Sequence, residues 1–217
     1  MREQQLSLLK DKLKSYTLHI ENMFDKSLKG YVDSSPDLLN HLIHEDEPRA
    51  NQFDIEMDRI CANFIAQYQP MARDLRNILM AFKFNSDLER VGDLTVNIAQ
   101  SVLFILSHRC STTLKELPEL FAVVGDMLKD SINAFLTENP ELAKNVCERD
   151  ERADYLRDEI FKVLTEQMTQ NPKFVECALH FMRVARNLEK IADVSTNIGE
   201  ETVFLVEGKN IKHHSQE

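Results

Sequence analysis

Glu89, Asp93 and Asn97 recur one hundred residues later as Glu189, Asp193 and Asn197. At about 100° per residue, a spacing of four stacks each trio along one face of a helix. The flanking residues repeat as well: L-E-R-V-G-D-L-T-V-N-I at 88–98 answers L-E-K-I-A-D-V-S-T-N-I at 188–198. A second four-spaced pair precedes each trio, Glu47 with Asn51 in the first half and Asp150 with Asp154 in the second. Two antiparallel helices bearing such pairs bring four oxygen donors together, and without a cation those donors repel one another. Oxygen donors of this kind suit hard metals, iron, manganese or magnesium, with zinc the least suited. The alternative is a solvated acidic edge or an ionic network between helices, with Arg90 and Arg186 as counter-charges. Like charges at this spacing cost an isolated helix only about 0.2–0.5 kcal/mol. A merely solvated face gives no reason, however, to repeat the neutral asparagine. The expected metal ligands are therefore Glu89, Asp93, Asn97, Asp150, Asp154, Glu189, Asp193 and Asn197. Glu47 and Asn51 form the weaker set, because Asn51 lacks a charge and Pro48 disturbs Glu47.

Nothing in the chain points to catalysis. A di-iron carboxylate enzyme would typically use Glu-x-x-His on paired helices, and neither half contains it. His180 falls about half a turn from Glu189, and His213 and His214 lie in a polar tail. There is no glycine-rich phosphate loop, nucleophile elbow or Cys/His pair. A carboxylate-bridged metalloenzyme on a helical bundle is the alternative reading. It would need an open coordination position and a general acid or base, for which only the carboxylates themselves are available.

The elements that must hold these faces are helices. Proline punctuates both halves at matching places: Ser35-Pro36 and Asn139-Pro140 each offer a capping side chain and a proline at the first helical position. Around these prolines the two halves correspond at an offset of 104, so that Met23, Ser27, Leu28 and Tyr31 match Met127, Ser131, Ile132 and Phe135. Further on, Glu45, Glu47, Asn51, Phe53 and Glu56 match Glu148, Asp150, Asp154, Leu156 and Glu159 at 103, and the offset reaches 100 at the acidic trios. Two small insertions or deletions account for that drift, and the chain reads as a tandem duplication. Each copy contributes three long helices, 3–30, 36–68 and 71–107, then 111–138, 140–169 and 173–207. The expected fold is all-α, a tandem repeat of two antiparallel three-helix bundles spanning 1–108 and 109–217. Pro48 predicts a kink in the first middle helix. Glu151 stands at the matching place of the second, which should be straighter.

The composition agrees with long helices: 217 residues, 29% charged, no tryptophan, 5 glycines and 6 prolines. A net charge of -10 argues against nucleic acid and against anionic lipid, which require a basic footprint. The four cysteines Cys61, Cys110, Cys147 and Cys177 are scattered without a C-x-x-C, and are expected as free thiols in a reducing cytosol. Neither a leader nor a membrane-spanning run is expected. The tail from Gly208 is expected to fray, and a leftover apolar stripe on the bundles suggests a homodimer.

A duplicated bundle with L-E-R-[IV]-[GA]-D-x-x-x-N-I in each half resembles the PhoU family. The likeness extends through N-S-D-L-E-R-V-G-D at 85–93, A-R-N-L-E-K-I-A-D at 185–193, P-M-A-R-D-L-R at 70–76 and L-V-E-G-K at 205–209. The resemblance implies a non-enzymatic, cytoplasmic negative regulator of phosphate uptake and of the phosphate-starvation response. Such a protein is expected at the inner membrane only through its partners, the phosphate transporter's ATPase subunit and a sensor histidine kinase. It also implies multinuclear iron or other metal on [ED]xxxD pairs, which carry over as Glu89 with Asp93, Glu189 with Asp193, and Asp150 with Asp154. Two positions depart from the family pattern: Asn51 puts an amide where a carboxylate is usual, and Lys190 replaces the arginine that usually follows Glu189.

Overall fold

Eight α-helices form the chain in the computed structural model, which describes residues 2–112 and 114–208. They are α1 (Arg2–Val32), α2 (Pro36–His41), α3 (Glu47–Tyr68), α4 (Ala72–Ser107), α5 (Glu116–Thr137), α6 (Pro140–Glu148), α7 (Asp150–Gln170) and α8 (Val175–Glu207). No strand occurs among the described residues. The all-α expectation therefore holds, with the first three helices of each copy realised as α1, α2–α3 and α4, then α5, α6–α7 and α8. Residues beyond Gly208, including His213, His214 and Lys209, lie outside the described part.

Asparagine caps account for two of the helix starts in the second repeat. Asn139 accepts hydrogen bonds from the amides of Glu141 and Leu142, both at 3.1 Å, and Pro140 opens α6. Asn171 likewise accepts from the Lys173 amide ahead of α8. Ser35, expected to act in the same way, has the extended backbone of a cap but makes no capping bond through its side chain. The repeat is visible in detail at Ser27 and Ser131, both buried, each donating to the carbonyl three residues back, of Phe24 and Leu128 respectively.

The two middle helices differ, and neither behaves as the proline alone predicts. Between α2 and α3, Leu42–Asp46 adopts a π-helical turn, with the Glu47 amide donating to the Leu42 carbonyl. From Pro36 to Glu47 the first copy has one residue more than the second has from Pro140 to Asp150. A π turn takes up one extra residue without ending the helix. Its width also removes the tight approach of the Pro48 ring to the His44 carbonyl that an α turn would force. The turn is fastened to α1: Lys26 Nζ lies 2.5 Å from Asp46 Oδ2, and His19 Nε2 lies 2.8 Å from the Asp46 carbonyl oxygen. The second middle helix, expected straighter, is instead interrupted at Arg149, whose amide donates three residues back to Val146. There α6 presses onto α8 so closely that a Cβ on Gly199 would stand 2.9 Å from the Ala143 carbonyl oxygen. Only glycine admits that approach.

α4 and α8 make the most extensive helix pair of the fold. Lys83 of α4 pairs with the buried carboxylate of Glu201 on α8, and Arg90 acts electrostatically on Asp193. Contacts at 83 with 201 and at 90 with 193 make the pair antiparallel, related by an approximate twofold through Gly92 and Ala192. α1 also packs on α5, and one apolar core runs continuously through both copies. The copies thus share an interior instead of each closing its own.

Cys110, in the connection between α4 and α5, and Cys177, in the first turn of α8, form a disulfide with a Cα–Cα distance of 5.7 Å. This corrects the expectation of four free thiols. The partners lie 67 residues apart and no spacing signals them. The fold brings them together because α8 starts beside the place where α4 ends. Cys61 and Cys147 are free. Cross-linking a loop of this length contributes about 2–4 kcal/mol by restricting the unfolded chain. Reduction with a dithiol should lower the melting temperature, and Cys110→Ser should melt at the reduced protein's temperature whether or not the dithiol is added. Differential scanning fluorimetry of both proteins checks this.

Candidate functional site

Each acidic trio faces the middle helix of its own repeat, but the two clusters are built differently. In the first, the side-chain amide of Asn85 on α4 donates to Asp54 Oδ1 at 2.6 Å and to Asp58 Oδ1 at 3.0 Å on α3. α3 and α4 run antiparallel, so each turn toward the C-terminus of α4 is a turn toward the N-terminus of α3. Glu89 consequently stands at the level of Asp54 and Asn51, and Asp93 at the level of Asn51 and Glu47. Glu89 is held above the ordinary carboxylate range by burial first, then by the charges of Asp93 and Asp54. Asp54 is raised by burial and by Asp58 and Asp93, an effect that the Asn85 hydrogen bond opposes.

Below this cluster lies Tyr16 of α1, fully buried. Its hydroxyl is raised by burial and then by Asp54, Glu89, Asp93 and Asp58. The Tyr16 hydroxyl and Asn85 Oδ1 are both buried and neither has a hydrogen-bond partner. A buried carboxamide oxygen without a partner lacks a donor or a cation. Asn85 is only 1% exposed, which excludes ready compensation by bulk water.

In the second cluster, Arg157 of α7 lies between the helices. Its Nη1 is 3.0 Å from Asp154 Oδ1 and 2.7 Å from Glu189 Oε1, and its other edge meets Asp158. Thr196 Oγ1 donates to Asp150 Oδ1 at 3.3 Å. Asp150 is raised by burial, Asp193 and Asp154. Asp193 is raised by burial, Glu189 and Asp154, with Arg90 and Arg157 acting in the opposite sense.

The sequence-derived residues are thus brought together unevenly. Glu89 and Asp93 are neighbours on α4 and face Asp54 of α3, while Asp150 and Asp154 meet Glu189 and Asp193 across the expected α7–α8 pair. Asn97 is exposed and Asn197 half-buried, and neither side chain bonds to a cluster among the described residues. The neutral side chains that do bond to the acids are Asn85 and Thr196. Glu47 is half-buried and Asn51 exposed at the α3 end of the first cluster, while Asp54 and Asp58 supply the charge that Asn51 lacks. Asp54 and Asp58 thus add carboxylates to the first cluster beyond the Glu47 and Asn51 set. His180 takes no part; it stacks on Phe104 with ring centres 3.7 Å apart.

Asp54, Asp58, Asn85 and Tyr16 have Arg157, Phe161, Ala185 and Leu120 as their counterparts at the offsets of 103, 100 and 104. The spacing of Asp54 and Asp58, four apart and one turn beyond Asn51, was the available signal for them. Among the described residues, no three His, Cys, Asp or Glu side chains already surround a single metal position. The donor set still fits a hard cation: carboxylates on facing helices, a carboxamide oxygen without a partner, and no thiolate.

The sign of the pH dependence follows from these shifts. A carboxyl group whose folded value is raised contributes stability that is present below its unfolded value and lost as pH rises through its folded value. In chelator, Glu89→Gln should therefore melt above the wild-type protein at neutral pH. That gain should vanish as pH falls into the ordinary carboxylate range, where Glu89 itself becomes neutral. Melting curves of both proteins across a pH series measure it.

A sequence model of the PhoU domain matches the chain twice, at residues 13–102 and 117–202. The phosphate-specific transport system accessory protein PhoU homolog 1 of Thermotoga maritima is 28% identical over 211 residues, covering 97% of this chain and 90% of that protein. The corresponding PhoU homolog of Clostridium acetobutylicum is 30% identical over 205 residues, 93% of this chain and 94% of its own. The crystal structure of PhoU from Pseudomonas aeruginosa superposes with a TM-score of 0.92 at 25% identity, covering 96% of this chain and 100% of that one. Two domain matches in tandem, relatives aligned over nearly the whole length and a shared fold lead to one conclusion: the chain belongs to the PhoU family.

Proposed function

We propose that this protein is a negative regulator of phosphate uptake and of the phosphate-starvation response. It would act as a non-enzymatic adaptor between the ATPase subunit of a phosphate transporter and a sensor histidine kinase. The observation that carries this reading is family membership over most of the chain, among relatives named as accessory proteins of the phosphate-specific transport system. No helix among the described residues is long and apolar enough to cross a membrane, which suits a protein working from the cytoplasm and reaching the membrane through its partners.

The first acidic cluster would hold a hard cation such as iron or manganese through Asp54, Asp58, Glu89 and Asp93, with the unpartnered Asn85 Oδ1 as a further oxygen donor close by. A bound cation supplies positive charge that offsets repulsion among these carboxylates, and it stabilises the folded chain by mass action. The unpartnered Asn85 oxygen supports this reading over a purely ionic helix contact. The relatives' description as accessory proteins, and the lack of a Glu-x-x-His pair in either half, favour an adaptor over a carboxylate-bridged metalloenzyme.

Deleting the gene and measuring starvation-gene output and phosphate uptake in high phosphate tests the regulatory role. Constitutive output and unrestrained uptake are expected. Output that stays repressed after deletion excludes the adaptor role.

A further inference from the structure

The two clusters differ most at one position. Asp54 in the first repeat corresponds to Arg157 in the second, at the offset that pairs Asn51 with Asp154 and Phe53 with Leu156. Arg157 bridges the helices of its cluster, its Nη1 within 3.0 Å of Asp154 and 2.7 Å of Glu189. Its side chain is 22% exposed, and Asp158 holds the far edge of the guanidinium. Arginine stays charged at any pH a protein survives and matches carboxylates through a planar fork.

The rest of the second cluster follows the same logic. The buried amide of Asn85 is replaced by Ala185, Asp58 by Phe161 and the Tyr16 hydroxyl by Leu120. Of the two remaining carboxylates, Asp150 is met by a threonine hydroxyl, and Arg90 adds positive charge near Asp193. The second cluster therefore carries its own cation and its own hydrogen-bond donor. The first has a buried oxygen left without either.

We infer that Arg157 is a built-in cation that takes the place of a metal ion in the second repeat, so that this chain loads hard metal in its first repeat only. An incoming ion at the second cluster must first displace a guanidinium held by three carboxylates. At the first cluster it meets no cationic side chain between α3 and α4 among the contacts described. The inference rests on the cation reading of the first cluster given above. It separates from that reading because it concerns what removal of Arg157 does to the second.

Equilibrium dialysis of the full chain against Mn²⁺, with metal counted by mass spectrometry, tests it. In the wild-type protein, Asp54→Asn should abolish bound Mn²⁺ and Asp193→Asn should leave it unchanged. Arg157→Met, which keeps the aliphatic stem packed, should add a second complement of Mn²⁺ that Asp193→Asn then removes. Arg157→Lys, which keeps the charge, should add none and controls for loss of fold. The inference is overturned if Arg157→Met gains no Mn²⁺ while its helical circular dichroism matches the wild type, or if Asp193→Asn strips metal from the wild-type chain. Should Arg157→Met fail to fold, Arg157→Gln reads the same two outcomes. A wild-type chain without Mn²⁺ whose Arg157→Met variant acquires it would sink the first-cluster reading, and with it loading of the first repeat, while leaving Arg157 standing as the cation that keeps metal out of the second.

Discussion

The antiparallel contact of α4 with α8 is the constraint on which the molecule turns. Both helices carry the acidic trio of their repeat on one side and apolar residues on the other. Packing them side by side buries Val91, Leu94 and Ile98 together with Ile191, Val194 and Ile198. That pairing fixes the axial position of Glu89 and Asp93, and hence the level at which α3 must present its own acids. It also commits the halves to each other, since a core that runs through both cannot be exposed on one side without cost. At about 25 cal/mol per Å² of apolar surface removed from water, the facing sides of two helices more than thirty residues long outweigh any one of the surface ion pairs. The Lys83–Glu201 pair sets alignment and adds little to the sum.

Within that frame, like charges are crowded at two places, and the protein relieves them by two routes. In the second repeat the relief is covalently part of the chain, an arginine inserted between the acids. In the first it is left to a buried carboxamide that can satisfy two aspartates but leaves its own oxygen unmatched. Crowding of acids raises their affinity for protons and for cations alike. The same geometry that makes the unliganded cluster unfavourable near neutrality is what would give it an appetite for metal.

Much of this architecture could be read from the sequence, and the reason is periodicity. Helix type, the number of long helices and the positions of the trios all follow from a repeat whose offsets hold to within a few residues. The same method hid half of the first cluster. Comparing copies finds what they share, and Asp54, Asp58, Asn85 and Tyr16 are the residues they do not share. The asparagines at 97 and 197 are the converse case, repeated yet peripheral: Asn97 is exposed, Asn197 is half-buried, and neither side chain bonds to its cluster among the described residues. The disulfide was out of reach for a different reason. Neither cysteine has a counterpart cysteine in the other copy, and their closeness depends on where two helices happen to end.

The wide turn at Leu42–Asp46 has a consequence for how such a duplicated chain can diverge. An inserted residue in an ordinary helix rotates everything after it by about 100°, which here would swing Asp54 and Asp58 away from α4 and toward solvent. A single π turn swallows the phase error where it arises and returns the downstream face to its former bearing. The first copy has in this way been able to change length while keeping its azimuth. Within the middle helix, the positions free to drift in number are those upstream of the correction, and those between it and the next connection are free to drift only in kind.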